Sequence, residues 1–137
     1  MRIFATISSF LVLAALTLAQ VSLTISNSRL GYGEVLEARA TNNSGDETYT
    51  TKALFPGMIF RGSTLVYPIN TSQLFQPLPP DAPNNYRDFS WDQKDSDGNQ
   101  VPPGNYRLVV DFFYGPTNSQ VIRKTVSFTI LPPPGPR

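Results

Sequence analysis

The chain has 137 residues, 11 of them basic and 10 acidic, and a formal net charge of +1; it contains neither cysteine nor histidine. This balanced charge lacks the basic footprint of a nucleic-acid-binding protein, so no nucleic-acid partner is expected. The absence of cysteine and histidine removes the usual ligands of zinc, copper and haem iron, and with them the commonest general base. We therefore expect no disulfide and no cofactor.

The first predicted element is an apolar leader at residues 1–19. Arg2 provides a positive start, residues 10–16 are strictly apolar, and residues 17–19 (TLA) form a small-x-small cleavage signal. An uncleaved membrane anchor is the alternative, but the strictly apolar part is far shorter than the roughly 20 residues that span a bilayer. We predict a signal peptide cleaved after Ala19. The mature protein would be secreted, periplasmic or at the cell surface, with no stable membrane insertion after cleavage.

From residue 20 onward the sequence shows short strand patterns separated by turns. Alternating or β-branched segments predict strands at residues 21–26, 34–41, 48–54, 64–69, 86–91, 105–114 and 120–131, with a short apolar segment at 58–60. Four prolines between residues 76 and 83 exclude a regular strand or helix there. About seven strands without helices predict an antiparallel immunoglobulin-like β-sandwich over residues 20–131, followed by a proline-rich tail at 132–137. A closed barrel is the alternative fold.

Three closely spaced carboxylates raise the hypothesis of a calcium loop: Asp92, Asp95 and Asp97. An EF-hand requires an oxygen ligand at its third position and glycine at its sixth. Counted from Asp92 the third position is Lys94, and counted from Asp95 the sixth is Gln100, so both registers fail. A looser calcium site stays open. The preferred interpretation is a tight turn in which Gly98 has positive φ.

The aromatic residues of this region alternate with polar ones. In the strand at 105–114, Tyr106, Leu108, Val110 and Phe112 share one face, which predicts that they are core residues together with Phe89 and Trp91. A ligand-stacking role for Trp91 is the alternative. Two triplets, which begin at Asn42 and Asn70, match the glycosylation acceptor pattern in predicted surface loops.

No constellation of catalytic residues is present. A serine nucleophile would lack its histidine, no G-x-S-x-G motif occurs, and no two carboxylates are marked as partners across a cleft. We therefore predict that the protein is not an enzyme.

The segment at residues 91–106, WDQKDSDGNQVPPGNY, resembles the C-terminal signature of the intracellular proteinase inhibitor (BsuPI-like) family. That signature has a Trp-Asp, an acidic turn ending in glycine, and Val-Pro-Pro-Gly-x-Tyr leading into a strand. The turn at residues 41–47 is similar to the family's early loop. Two departures stand out: the family's namesake is intracellular, and residues 55–85 lack its usual tryptophan-containing stretch. No reactive-site residue is carried over, because none is tied to the matching motif. The resemblance implies an immunoglobulin-like fold whose signature residues are Trp91, Asp92, Asp97, Gly98, Pro103, Gly104 and Tyr106.

Together these observations predict an exported, bacterial, non-catalytic binding module with a protein partner. As a proteinase inhibitor it would insert a loop into a protease cleft, and prolines lower the entropy that such a loop loses. The candidate loops, 55–63 and 76–85, supply the candidate contact residues Phe55, Pro56, Met58, Phe60, Arg61, Pro77, Leu78, Pro79, Pro80 and Asp81. The alternative is a structural or accessory subunit of a cell-surface or extracellular assembly, joined by strand addition at an open sheet edge. The oligomeric state is left open.

Overall fold

The computed structural model describes residues 20–51, 57–69 and 77–135. The predicted signal peptide, the candidate contact residues Phe55 and Pro56, and the acceptor triplet at Asn70 lie outside the described residues. The described part forms nine strands: β1 (Val21–Ile25), β2 (Arg29–Leu30), β3 (Leu36–Asn42), β4 (Thr50–Thr51), β5 (Gly57–Arg61), β6 (Thr64–Ile69), β7 (Tyr86–Trp91), β8 (Gly104–Tyr114) and β9 (Gln120–Ile130). A single 3₁₀ turn, Pro116–Asn118, connects β8 and β9.

The strands form two sheets. The smaller has the order β1-β3-β7, and the larger has the order β2-β9-β8-β5-β6, with β4 paired to the end of β8. All of these pairs are antiparallel except the short parallel pair of β2 with β9. One core cluster contains residues from both sheets. The prediction of an all-β protein with two sheets, as in a β-sandwich, is therefore confirmed.

The apolar residues that alternate along the strands form this core, as predicted. Tyr106 and its three alternating partners in β8 are buried, and so is Phe89 in β7. Trp91 is only 3% exposed, and its ring centroid lies 6.2 Å from those of Tyr106 and Phe128. Its indole N–H donates a hydrogen bond to the carbonyl of Lys94 at 2.8 Å, so the burial leaves no orphaned donor. The prediction that Trp91 is a core residue is confirmed.

One predicted loop is in fact a strand. Gly57–Arg61 forms β5, which pairs with β6 on one side and β8 on the other. Ile59 is completely buried, and a Cβ at Gly57 would lie 3.4 Å from a methyl group of Ile69. The placement of Met58, Phe60 and Arg61 in a binding loop was therefore wrong, because the flanking prolines and glycines obscured a short buried strand.

The strand directions define two ends of the molecule. Since β8 begins after the signature motif and β9 returns antiparallel to it, residues 26–35, 62–63 and 92–103 lie at one end. We call this the signature end. The opposite end carries residues 43–49, 77–85 and 115–119, and we call it the proline end. We call residues 92–100 the signature turn and residues 77–85 the proline loop.

Candidate binding surfaces

The signature turn is closed by hydrogen bonds among its own residues. Asp95 Oδ1 accepts hydrogen bonds from the amides of Asp97 and Asn99, both at 3.0 Å. The amide of Gly98 donates to the Asp95 carbonyl at 3.0 Å, and Gly98 has a φ of 84°, which favours glycine. The turn therefore has the predicted tight geometry, and the Asp95 carboxylate acts as its internal cap.

The remaining carboxylates of the turn form no cation cage. Asp92 Oδ1 accepts the amide of Lys94 at 3.1 Å, and Asp97 lies on the exposed surface. Within the described ranges 20–51, 57–69 and 77–135, no group of three or more histidine, cysteine, aspartate or glutamate residues could hold a metal ion.

A buried glutamine connects the turn to the loop before β3. Gln93 is completely buried and has a φ of 65°. Its Oε1 accepts hydrogen bonds from the Gly33 amide at 2.9 Å and from the Gln100 side chain at 2.8 Å, and its Nε2 donates to the Gly31 carbonyl at 2.9 Å. Three bonds satisfy the buried amide and fix the position of the turn. Sequence reasoning missed Gln93, because a glutamine between two charged residues reads as exposed.

Tyr106 anchors the start of β8. Its hydroxyl donates to the carbonyl of Pro102 at 2.5 Å, while its ring stacks on Phe128 at 5.9 Å. Burial raises the pKa of the Tyr106 phenol, an effect that the nearby Arg61 guanidinium partly offsets. The half-buried Pro103 and Gly104, with a φ of 145°, lead from this bond into the strand. The signature motif thus acts as a structural corner.

An open cleft of about 470 Å³ lies between the β5–β6 hairpin and the signature turn. Its hairpin wall includes Arg61 and Leu65, and its other wall includes Asp97 and Tyr106. The structure thus brings Arg61, a candidate contact residue, together with two residues of the signature.

The proline loop is attached to the core at Leu78. The amide of Leu78 donates to the carbonyl of Tyr49 at 2.7 Å, and the reverse bond measures 3.1 Å. The side-chain amide of Asn42 also donates to the Leu78 carbonyl at 2.8 Å. Leu78 is completely buried, so its assignment as a contact residue was wrong: it is the apolar anchor of the loop.

Arg87 bonds backbone carbonyls near both ends of the proline loop. This guanidinium donates to the carbonyls of Pro77 and Asn84, both at 3.2 Å. Pro79 and Pro80 are half-buried, whereas residues 81–84 are exposed. The structure therefore presents Asp81 and its neighbours on a tip whose two flanks are fixed by hydrogen bonds.

Asn42 closes the proline end from the last position of β3. It is completely buried, and its Nδ2 also donates to the carbonyl of Glu47 at 2.7 Å, while its Oδ1 accepts the Ser44 amide at 2.9 Å. The placement of this glycosylation acceptor in a surface loop was wrong. A glycan on Nδ2 would remove one of its two N–H donors and with it one of the bonds to the Glu47 and Leu78 carbonyls.

Met58 and Phe60 lie on the outer face of the larger sheet. They pair with Val109 and Arg107 of β8, which alternate with the core-facing Leu108, although Val109 is itself only 2% exposed. The Arg107 guanidinium lies 5.3 Å from the Phe60 ring centroid and donates to the carbonyl of Gly62 at 2.7 Å. Both candidate residues are half-buried within β5, and neither belongs to a projecting loop.

The geometry describes an all-β, two-sheet domain that has a fixed loop at each end. Among the residues that the structure describes, no helix has the length and apolarity needed to span a membrane. A comparison of the chain with models of known protein families found no match, and a comparison with curated proteins found none either.

Proposed function

We propose that the chain is an exported, non-catalytic binding module with an immunoglobulin-like sandwich. Two features support this fold type beyond the two-sheet arrangement. The first two strands belong to different sheets: β1 lies in the smaller sheet, whereas β2 pairs in parallel with β9 of the larger one. The bond from the Tyr106 hydroxyl to a carbonyl four residues upstream corresponds to the tyrosine corner of such domains.

The observation that carries the binding function is the fixed proline loop. Leu78 anchors its first part in the core, and Arg87 bonds carbonyls on both sides of its exposed tip. A loop that is ordered before binding loses less conformational entropy when a partner immobilises it. This geometry supports a proteinase-inhibitor-like action, in which residues 81–84 enter a protease cleft and block it sterically. The resemblance of residues 91–106 to the BsuPI-like signature supports the immunoglobulin-like fold type on which this loop is placed.

The test is a panel of serine proteases titrated with micromolar protein. We expect a stoichiometric 1:1 loss of activity in at least one protease, and Asp81→Lys should weaken it because the substitution lies on the tip. Asp46→Lys is the matched control, since Asp46 is exposed in another loop at the same end. Undiminished activity across the whole panel, or rapid cleavage of the proline loop, would contradict the inhibitor function.

A second candidate function is an accessory subunit of an extracellular or cell-surface assembly. It is favoured by the edge of β9, which, among the residues that the structure describes, pairs only with β2, at Thr129 and Ile130. Open edges of this kind accept strands from other chains. The test is size-exclusion chromatography of the tagged chain in the exported fraction of its source cells. We expect high-mass species, and elution as a monomer alone would contradict this function.

A further inference from the structure

The free edge of β9 has a defined set of backbone groups. The amide of Thr129 donates to the carbonyl of Ser28, and that of Leu131, just after β9, donates to the carbonyl of Leu30. The backbone groups at these odd-numbered positions therefore point away from β8. The register of β9 with β8 is continuous over all 11 positions, and backbone groups alternate in direction along a strand. The N–H and C=O groups with the same outward direction, and with no hydrogen-bond partner among the described residues, are those of Val121, Arg123, Thr125 and Ser127.

This row of groups selects an extended polypeptide as its ligand. Alternating donors and acceptors on one line are matched by the backbone of another β-strand, which adds to the sheet edge. At about 3.3 Å per residue, residues 121–127 span roughly 23 Å, enough for a segment of about seven residues. β2 already uses the same edge in this way at Thr129 and Ile130.

The side chains on the inner face of the edge specify the chemistry of the segment. Ile122 and Val126 are half-buried and pack against the core, and Lys124 lies between them. Lys124 has no ion pair within the described part of the chain. In contrast, Arg123 on the outer face is neutralised by Asp111, with bonds of 2.7 and 3.0 Å. Within the described residues, the edge thus carries a charge without an ion pair at Lys124, which lies between the apolar side chains of Ile122 and Val126.

The same lysine disfavours a second copy of the chain as the occupant. Antiparallel self-pairing over the whole free edge is centred on its midpoint, residue 124, and places Lys124 opposite Lys124; like charges in opposition are destabilising. Inward-pointing lysines protect natural sheet edges from self-association in this way. A carboxylate at the opposing position reverses the sign of that interaction.

We propose, on the basis of the second proposed function, that the β9 edge binds an extended segment of another protein. The segment carries an acidic residue between two apolar residues at alternate positions. It continues the larger sheet beyond β9, with the acid opposite Lys124 and the apolar side chains over Ile122 and Val126. This surface is separate from the tip of the proline loop.

The experiment uses the full chain without its leader and two labelled heptapeptides, acetyl-TVTETVT-amide and acetyl-TVTKTVT-amide, in fluorescence anisotropy. We expect the glutamate peptide to bind about tenfold more tightly, because an attractive cross-strand pair is exchanged for a repulsive one. Lys124→Glu should invert this preference, while Lys94→Glu, an exposed charge reversal in the signature turn, should leave it unchanged. Amide hydrogen exchange should slow at residues 121, 123, 125 and 127.

Thr125→Pro tests the backbone directly. It removes one outward N–H without removing a bond to β8, a position at which an edge strand tolerates proline. Its circular dichroism and melting should match the wild type, while binding of the glutamate peptide is lost. Binding that survives Thr125→Pro, or no binding at millimolar peptide, would overturn the proposal. A wild-type dimer abolished by Thr125→Pro, without peptide binding, would overturn it in favour of a second copy.

The edge proposal and the accessory-subunit function can be contradicted independently of each other. High-mass species in the exported fraction that Thr125→Pro leaves intact would overturn the edge proposal but not the accessory-subunit function. A chain that binds the glutamate peptide yet elutes there as a monomer would support the edge proposal and contradict the accessory-subunit function.

Discussion

The two ends of the sandwich are closed by the same types of residue in different ways. Each has a buried side-chain amide, Gln93 at the signature end and Asn42 at the proline end. Each also has a buried tyrosine whose hydroxyl is bonded, Tyr106 to the Pro102 carbonyl and Tyr49 to the Gln20 side chain at 2.6 Å. The difference lies in the range of the contacts that shape the loops.

The backbone of the signature turn is shaped by bonds within itself, and Gln93 then fixes the turn to the loop before β3, whereas the proline loop takes its shape largely from distant partners. Asp95 caps amides two and four residues further on. Leu78 is held by Asn42, 36 residues earlier, and by Tyr49. A local turn forms wherever its sequence occurs, but the proline loop depends on β3, β7 and the core. We therefore expect substitutions that disturb the proline loop to destabilise the whole domain.

The largest effect should come from Leu78→Ala. Truncating a completely buried leucine removes its transfer free energy and leaves a cavity, which costs about 2–5 kcal/mol of unfolding free energy. Leu65→Ala is the control: this leucine is 48% exposed, so a change within about 0.5 kcal/mol is expected. Urea denaturation of both variants measures the difference. A Leu78→Ala cost as small as that of Leu65→Ala would mean that the proline loop does not belong to the core.

The range of contacts also decides what could be predicted from the sequence. The alternation in β8 and the burial of Trp91 were predictable because a strand's period places residues without knowledge of the partner. The signature turn was predictable because its aspartates and Gly98 act locally. The burial of Leu78, the bonds of Asn42 and the two-residue strand β2 depend on residues far away along the chain. No local pattern distinguishes a leucine among prolines that anchors a core from one that is exposed.

The next effect tests the buried amide of the proline end. Asn42→Ala should lower the unfolding free energy by about 2–3 kcal/mol, because it removes three hydrogen bonds of a completely buried side-chain amide, those with the Leu78 and Glu47 carbonyls and the Ser44 amide. The neighbouring Asn43→Ala is the matched control, since the Asn43 side chain makes only an exposed 3.2 Å bond to Ser22. Chemical denaturation measures both. Equal stability of the two variants would contradict the closing role of Asn42.

Substitution of Tyr106 or Tyr49 should lower the unfolding free energy by a smaller amount. Tyr106→Phe and Tyr49→Phe each remove one buried hydrogen bond and should cost about 1 kcal/mol at neutral pH. Burial raises the pKa of both phenols in the folded protein, while an unfolded tyrosine titrates near pH 10. Stability should therefore be full below about pH 10 and decline as the pH rises through the folded-state pKa.

Urea denaturation between neutral pH and about pH 11 measures this decline, which should be shallower in each variant and shallowest in the double variant. A decline of wild-type steepness in the double variant would show that other groups cause the alkaline loss. If the tyrosines at the two ends contribute similarly, the ends differ only in how their loops are shaped.

The smallest effect concerns the carboxylate that caps the signature turn. Asp95→Ala should cost about 0.5–1 kcal/mol, because two exposed-turn amides lose their acceptor, while Asp95→Asn keeps an acceptor oxygen and should cost less. Asp97→Ala is the control, since Asp97 is exposed and its own amide only donates to Asp95. Millimolar calcium should leave the melting temperature unchanged, because Asp95 Oδ1 is already engaged by backbone amides. A rise in melting temperature with calcium that Asp95→Ala abolishes would instead identify the signature turn as a cation site, and its shape would then depend on a ligand.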